Sequence, residues 1–167
     1  MTSAAAVVWQ KLIPMINDKE ALKKAEAYCS AAERCRSEVV AKLSGRDGLG
    51  AESIDGIVEH LVKEGFLDES RYAAAFVHDK LRFCKWGRIK IKAALINKGV
   101  PRDIIQRTLD DIDSREYNEV LRSVIDSKMR GLRFSSDYER SAKLMRFAAQ
   151  RGFEPSLVAG ILELNEL

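Results

Sequence analysis

The sequence is poor in the residues from which metal and redox sites are built. Its 167 residues include three cysteines and two histidines. The cysteines, Cys29, Cys35 and Cys84, are odd in number, and none has the paired spacing of a metal knuckle or a redox motif. We therefore expect reduced thiols in a reducing compartment. His60 and His78 complete no metal-binding pattern, so the sequence predicts no metal site and no cofactor.

Prolines and long apolar runs are also scarce. The chain has three prolines, and it is rich in Ala, Leu, Lys, Glu and Arg, which favour helix. The apolar stretch near the N-terminus is interrupted by Gln10, Lys11 and Pro14 before it could span a bilayer, and it lacks the basic leader of a signal peptide. We expect an all-α protein of the cytoplasm that does not bind a membrane.

Catalytic sequence patterns are absent from the chain. There is no glycine-rich phosphate loop, no nucleophile elbow and no spaced set of carboxylates. Asp110, Asp111 and Asp113 lie close together, but they precede a helix start, where acidic groups stabilise the helix dipole. A metal role for these three is the less favoured alternative. The sequence predicts a binding protein and not an enzyme.

Capping signals mark the predicted helix starts. A short helix over residues 3–13 should stop at Pro14, which removes a backbone donor and restricts the residue before it. Residues 1–18 would then form an arm, and Asn17 with Glu20 has the spacing of a capping box that opens a new helix. The same spacing recurs at Asp113 with Glu116 and at Ser136 with Glu139.

The segment after Gly87, which is predicted to end the preceding helix, permits two interpretations. Residues 88–92 alternate between charged and apolar residues like a half-buried strand. We favour a helix, because apolar residues extend the segment and Ile91 and Leu95 fall on one helical face. Gly99 stands where a left-handed residue ends a helix, and Pro101 occupies a first-turn position of the next one.

Three similar turns divide the chain into repeats. Gly48, Gly99 and Gly152 are 51 and 53 residues apart, and four of five equivalent core positions after each glycine are apolar. A unit of about 50 residues buries too little surface to be stable alone, so we expect the units to stack into an elongated body that can also curve. Collapse into one globule is the alternative. The predicted boundaries are 19–67, 68–113 and 114–167, after the arm 1–18.

Positive charge is concentrated in the middle of the chain. Residues 78–107 contain nine Lys or Arg and two Asp, which gives nine minus two, or +7, in a chain of net charge +3. A second basic set lies in the third repeat, and regular stacking would align both into one stripe for a polyanionic partner. A solvated helical face is the alternative. The candidate partner or DNA contacts are Arg82, Lys85, Arg88, Lys92, Lys98, Arg130, Arg133, Arg140, Lys143 and Arg146.

The central region also carries a family signature. It contains, in order, Gly65-Phe66-Leu67-Asp68, Arg71-Tyr72-Ala73, Phe76-Val77, Lys80, Arg82, Gly87-Arg88-Ile89, Leu95 and Lys98-Gly99-Val100. This order resembles the RecX family, regulators of the RecA recombinase. Arg34, Ser37 and Leu43 are similar to the first repeat of that family, and residues 151–153 to the third. The glycine-rich connection 44–50 is longer than the turn that the family usually has there.

The resemblance implies a monomeric, non-enzymatic regulator in DNA repair, recombination and the SOS response. It implies binding to the RecA nucleoprotein filament and modulation, in the direction of inhibition, of ATPase and strand-exchange activity. Direct contact with single- or double-stranded DNA is left open. From the residues alone, the alternative is a helix-turn-helix DNA-binding regulator at residues 88–112, with Gly99 in the turn. The outward residues of its second helix are Asp103, Gln106, Arg107, Asp110 and Asp111. Three of these five are acidic and would repel phosphates.

Overall fold

The chain is all-helical in the computed structural model, which describes residues 4–45 and 49–164, with side chains for 18–45 and 49–163. Within these ranges there are nine α-helices and no strand. Their bounds are α1 Ala4–Ala31, α2 Arg36–Ser44, α3 Ala51–Lys63, α4 Glu69–Arg82, α5 Arg88–Asn97, α6 Arg102–Asp110, α7 Ser114–Met129, α8 Asp137–Gln150 and α9 Pro155–Leu164. The predicted all-α class is confirmed. None of these described helices combines the length and apolar character that a membrane span requires.

Helix α1 differs from its prediction. A stop at Pro14 and a new start at Asn17 were predicted, but α1 is one continuous helix through both residues. A proline inside a helix removes one hydrogen bond and costs about 3 kcal/mol. Good helix formers on both sides extend the helix, and its later turns pack against α2 and α3 through the buried Ala21, Ala25 and Cys29. These contributions offset the local cost at Pro14.

The first compact unit extends to Tyr72 and includes Lys98–Val100. Its core joins α1, α2 and α3, with Val58 and Leu61 of α3 fully buried. Gly65 follows α3 with a φ of 75°, a left-handed conformation that suits glycine. The first of the spaced glycines, Gly48, lies outside the described residues.

The second compact unit comprises Ala73–Asn97 and Pro101–Leu167. Helix α8 packs against α7 and α9, and α5 packs against α6. The rings of Tyr117 and Phe153 meet in the core of this unit with centroids 5.4 Å apart. Both side chains are almost fully buried.

Side-chain caps fix several helix starts, among them the predicted caps at Asp113 and Ser136. The Asp68 carboxylate accepts from the backbone N–H of Ser70 at 2.7 Å, ahead of α4. Asp113 and Ser136 accept from the N–H groups of Glu116 and Glu139 at 2.8 and 3.2 Å. Each bond satisfies a donor that the helix itself leaves free.

Segment 88–97 is a helix, as predicted, and not a strand. Ile91 and Leu95 are fully buried on one face of α5, and Gly99 has a φ of 76° after it. Pro101 is the N-cap of α6 and lies one position before the predicted first-turn site. The helical interpretation succeeds because burial of one face outweighs the short alternating pattern.

The connection between α4 and α5 docks on the connection between α8 and α9. Helix α4 ends at Arg82, earlier than the predicted end at Gly87. The Gly87 N–H donates to the Arg151 carbonyl at 2.7 Å, and the Ile89 N–H donates to the Gly152 carbonyl at 3.0 Å. A β-carbon on Gly87 would lie 2.2 Å from the Gly152 oxygen, so the two backbones meet directly. The docking fixes the residues that precede Gly87 close to α8.

Candidate functional site

Two of the predicted partner-binding residues near the α4–α5 connection already interact with side chains of this chain. Arg82, at the end of α4, forms an ion pair with Glu116, which raises the pKa of the arginine. Lys92 projects from α5, and its ammonium donates to the Gln106 side chain at 3.4 Å. Both side chains are exposed, but their charges face groups of the same unit.

Arg88, which is also a predicted partner contact, packs against α7 instead of projecting into solvent. Its guanidinium lies 3.9 Å from the ring centre of Tyr117 and 3.6 Å from a carboxylate oxygen of Glu154. Its backbone N–H donates to the Tyr117 hydroxyl, which in turn donates to Glu154 at 2.5 Å. Burial, and then the bond to Glu154, raises the pKa of Tyr117. With its side chain 25% exposed, Arg88 links α5, α7 and the start of α9.

Lys98 belongs to the first compact unit. Its ammonium lies 2.6 Å from a carboxylate oxygen of Glu38, which also accepts from the Tyr72 hydroxyl at 3.3 Å. The backbone carbonyl of Lys98 accepts a hydrogen bond from the Ser37 hydroxyl at 2.6 Å. Burial disfavours the Glu38 anion, but the bonds from Lys98, the backbone and Tyr72 outweigh burial and lower the pKa of Glu38. Lys98 is thus part of a local polar network.

The predicted basic residues of α7 and α8 border an open groove. A hollow of about 480 Å³ lies between the end of α7, the connection to α8, and α8 itself. Arg133 and Arg146 are exposed at its edge and have no carboxylate partner among the described residues. The hollow is lined by Lys128, Gly131, Leu132, Arg133, Lys143, Arg146, Phe147 and Gln150.

A second hollow shares the lining residue Phe147 with the first. It measures about 170 Å³ and is lined by Lys85, Ser123, Val124, Ser127, Phe147 and Arg151. The Phe147 ring lies 5.0 Å from the ammonium of Lys128 and 4.7 Å from the guanidinium carbon of Arg151, so two cations are held against one aromatic side chain. We call the two hollows together the α7–α8 groove.

The α7–α8 groove is strongly positive. Its described lining contains no Asp or Glu and has six cations: Lys85, Lys128, Arg133, Lys143, Arg146 and Arg151. Lys143 is neutralised in part by Glu139 at 2.6 Å. The hydrogen bond from Lys143, together with two from Ser135, lowers the pKa of Glu139 to about 2. The remaining cations have no ion pair in the described part of the chain, so the groove can bind an anion.

Two predicted residues lie beside the groove without lining it. Arg130 is exposed at the C-cap of α7. Arg140 pairs with Asp137 at 3.0 Å and lies 5.7 Å from the ring centre of Phe134. Of the ten predicted contacts, Lys85 therefore lines the smaller hollow, Arg133, Lys143 and Arg146 line the larger one, and the other six line neither.

Lys128 and Phe147 were missed by the sequence prediction. Each falls on a helix whose neighbouring residues are basic, and their sequence spacing is that of ordinary amphipathic helices. Only the approach of α7 to α8 shows that they share a groove. The available signal was the position of Phe147, four residues after Lys143 and thus on the same helical face.

The second helix of the alternative DNA-binding motif carries as many exposed aspartates as arginines, so it has no excess of positive charge. On α6, Arg107 pairs with Asp103 at 3.0 Å, and Gln106 donates to Asp110 at 2.8 Å. These side chains already bind one another, and the carboxylates would repel phosphates. Among the described residues, no three His, Cys, Asp or Glu side chains form a group that could hold a metal ion.

Comparison with known proteins gives this geometry a family context. One family model, described as "RecX, second three-helix domain", matches residues 68–109, and another, "RecX, third three-helix domain", matches residues 115–162. A regulatory protein RecX of Clostridium botulinum is 31% identical over 92% of this chain and 74% of its own length. The regulatory protein RecX of Leptothrix cholodnii is 31% identical over 86% of this chain and 87% of its own length. The crystal structure of RecX from Lactobacillus salivarius has the same fold, with a TM-score of 0.82 at 21% identity, covering 92% of this chain and 99% of that one.

Proposed function

Because the chain belongs to the RecX family, we propose that it is a non-enzymatic regulator of the RecA recombinase. It binds the recombinase–DNA filament in the cytoplasm as a monomer. Binding lowers the ATPase and strand-exchange activities of the filament. The observation that carries this proposal is the α7–α8 groove, where cations without carboxylate partners gather in one open hollow.

The contrast between the two predicted basic sets supports this choice of surface. Arg82, Arg88 and Lys98 have carboxylate partners within their own unit. Breaking such pairs to bind a partner would sacrifice internal contacts. The unpaired cations of the groove can instead exchange small counterions for the fixed negative charge of a filament, which is favourable at moderate salt.

The proposed direction of regulation, inhibition, is the one that the family resemblance implies. A shift in the arrangement of the filament is a sufficient cause. A ligand that binds one arrangement more tightly shifts the population toward it and slows processes that need the other. A regulator that prefers the resting arrangement therefore lowers turnover.

A filament-dependent ATPase assay with the matching recombinase tests the proposal. The wild-type protein should lower ATP turnover, and the double variant Arg133→Glu with Arg146→Glu should act only at concentrations at least about tenfold higher, because two attractions become repulsions. Arg115→Glu with Arg122→Glu is the charge-matched control, since both are exposed arginines of α7 outside the groove lining. No effect of saturating wild-type protein on turnover would end the proposal. Equal potency of the double variant and the control would exclude the groove.

A further inference from the structure

Lys85 has an unusual backbone conformation. Among the described residues that are not glycine, it is the one with a positive φ, at 55°. It follows the end of α4, where the Trp86 N–H closes the turn on the Lys80 carbonyl at 2.9 Å. Three other turns of the chain with positive φ have glycine at this point: Gly65, Gly99 and Gly152. A lysine is strained in this region and glycine is not, so the backbone alone does not account for a lysine here.

The α4–α5 connection holds Lys85 beside Arg151. Two residues further on, the Gly87 N–H donates to the carbonyl of Arg151 at 2.7 Å, which ties the two connections together. Both Lys85 and Arg151 line the smaller hollow of the α7–α8 groove, with the hydroxyl-bearing Ser123 and Ser127 on the facing turns of α7. The strained residue therefore places a cation in a site that three separate segments form.

Arg151, which lines this hollow, has an unused donor. Its Nε atom is buried and has no hydrogen-bond acceptor in the described structure. A buried donor without a partner is unfavourable unless a ligand supplies the acceptor. Lys85, Ser123 and Ser127 add an ammonium and two hydroxyl groups, and no described carboxylate lines the hollow. Several donors around a small positive space suit an anion with several acceptor oxygens.

We propose that Lys85 and Arg151, with Ser123 and Ser127, form a phosphate-binding subsite, and that the lysine is retained in a strained turn because it binds this phosphate. The phosphate belongs to a nucleic-acid backbone or to a free nucleotide. The hollow of about 170 Å³ accommodates a phosphate group and little more, and it shares Phe147 with the larger basic hollow. This inference rests on the proposed function for the origin of the phosphate, but its test requires no recombinase.

The decisive variant is Lys85→Gly, which relieves the strain and removes the cation. Its melting temperature should equal or exceed that of the wild type. Its affinity for a fluorescein-labelled oligothymidylate, measured by anisotropy at low salt, should fall by about threefold to tenfold. The slope of log affinity against log salt should become shallower by about 0.7, because one phosphate contact is lost.

Arg122→Gln is the control, because it removes one positive charge from α7 outside the groove lining. Its affinity should fall less than that of Lys85→Gly, since Arg122 lies outside the lining of the hollow and makes no direct contact with the bound phosphate. If both variants lost the same affinity for the oligonucleotide, Lys85 would contribute only non-specific electrostatic attraction, and the proposal would be overturned. A lower melting temperature for Lys85→Gly would also overturn it, because the lysine would then serve the fold.

Competitors identify the source of the phosphate. Displacement of the oligonucleotide by ATP and by pyrophosphate, weakened in Lys85→Gly, indicates a site for free phosphate groups. Displacement only by unlabelled oligonucleotide indicates a strand backbone. If polyglutamate competes as well as the oligonucleotide at equal charge and is affected equally by the variant, the site recognises acidic protein segments and the phosphate proposal fails. Loss of filament regulation with oligonucleotide binding retained would instead count against the proposed function.

Discussion

Gly87 and Gly152 allow two backbone connections to meet. A β-carbon on Gly87 would lie 2.2 Å from the Gly152 oxygen, and one on Gly152 would lie 2.4 Å from the β-carbon of Lys90. Real β-carbons do not approach so closely, so any side chain at either position must push the connections apart. Gly152 also has a φ of 83°, which is strained for other residues.

Gly87→Ala should therefore lower the free energy of unfolding by about 1–3 kcal/mol, the usual effect of overpacking. Gly160→Ala is the matched control, because a β-carbon at Gly160 meets nothing within 4 Å and the residue lies inside α9. The control should raise stability by about 0.5–1 kcal/mol, since alanine favours helix. Urea denaturation measures both changes. Equal stability of the two variants would contradict the close backbone contact.

The Glu38 network makes stability depend on pH. The folded-state pKa of Glu38 lies below its ordinary value, because the bonds from Lys98, the Cys35 backbone and Tyr72 together outweigh the effect of burial. A depressed carboxyl pKa contributes stability above the unfolded-state value of 4.5. That contribution disappears as the pH falls through the lower folded-state value.

Glu38→Gln should lower stability at pH 7 by about 1–2 kcal/mol, a range reduced from that of buried charged hydrogen bonds because Lys98 is partly exposed. The difference from the wild type should shrink below about pH 4.5. Melting curves from pH 7 down to pH 3 measure it. Glu52→Gln, at an exposed position, should track the wild type throughout. A constant difference at all pH values would mean that charge is not the cause.

Helix α6 belongs to the core of the second unit through one face. Leu109 is buried, and its carbonyl accepts a hydrogen bond from the Arg88 guanidinium at 3.4 Å. Arg88 in turn contacts Tyr117 and Glu154. Packing and polar contacts thus connect α6 to α7 and to the start of α9.

Leu109→Ala should lower the free energy of unfolding by about 2–5 kcal/mol, the usual range for a buried leucine. Hydrogen exchange should quicken in α7–α9 as well as in α6, because Arg88 couples them. Ile96→Ala is the control, since Ile96 is 43% exposed and its change should stay within about 0.5 kcal/mol. Faster exchange confined to α6 would show that this coupling is weak.

At the scale of the whole molecule, charge density along the sequence differs from charge available at the surface. Residues 78–107 carry a net +7, yet Arg82, Arg88, Lys98 and Arg107 all have carboxylate partners. Their acidic partners lie up to 66 residues away in sequence, as with Arg88 and Glu154. A local count of charges cannot include such partners.

The sequence by itself determined the helical class, most helix ends and much of the core. These depend on interactions over three or four residues, such as the cap at Asp113 or the pairing of Ile91 with Leu95 on one face. Pro14 is one exception, because the local penalty there is overcome by the long helix around it, and the end of α4 at Arg82, before Gly87, is another. The family signature also lay in short segments that could be seen in the sequence.

Only the tertiary structure decided which basic residues line the α7–α8 groove. The α7–α8 groove takes Lys85 from one connection, Lys128 from α7 and Arg146 from α8, and their proximity depends on packing between segments more than 40 residues apart in places. The contact of Gly87 with Gly152 also depends on this packing. Short-range periodicity carries no information on these distances, because they are set by how the helices meet.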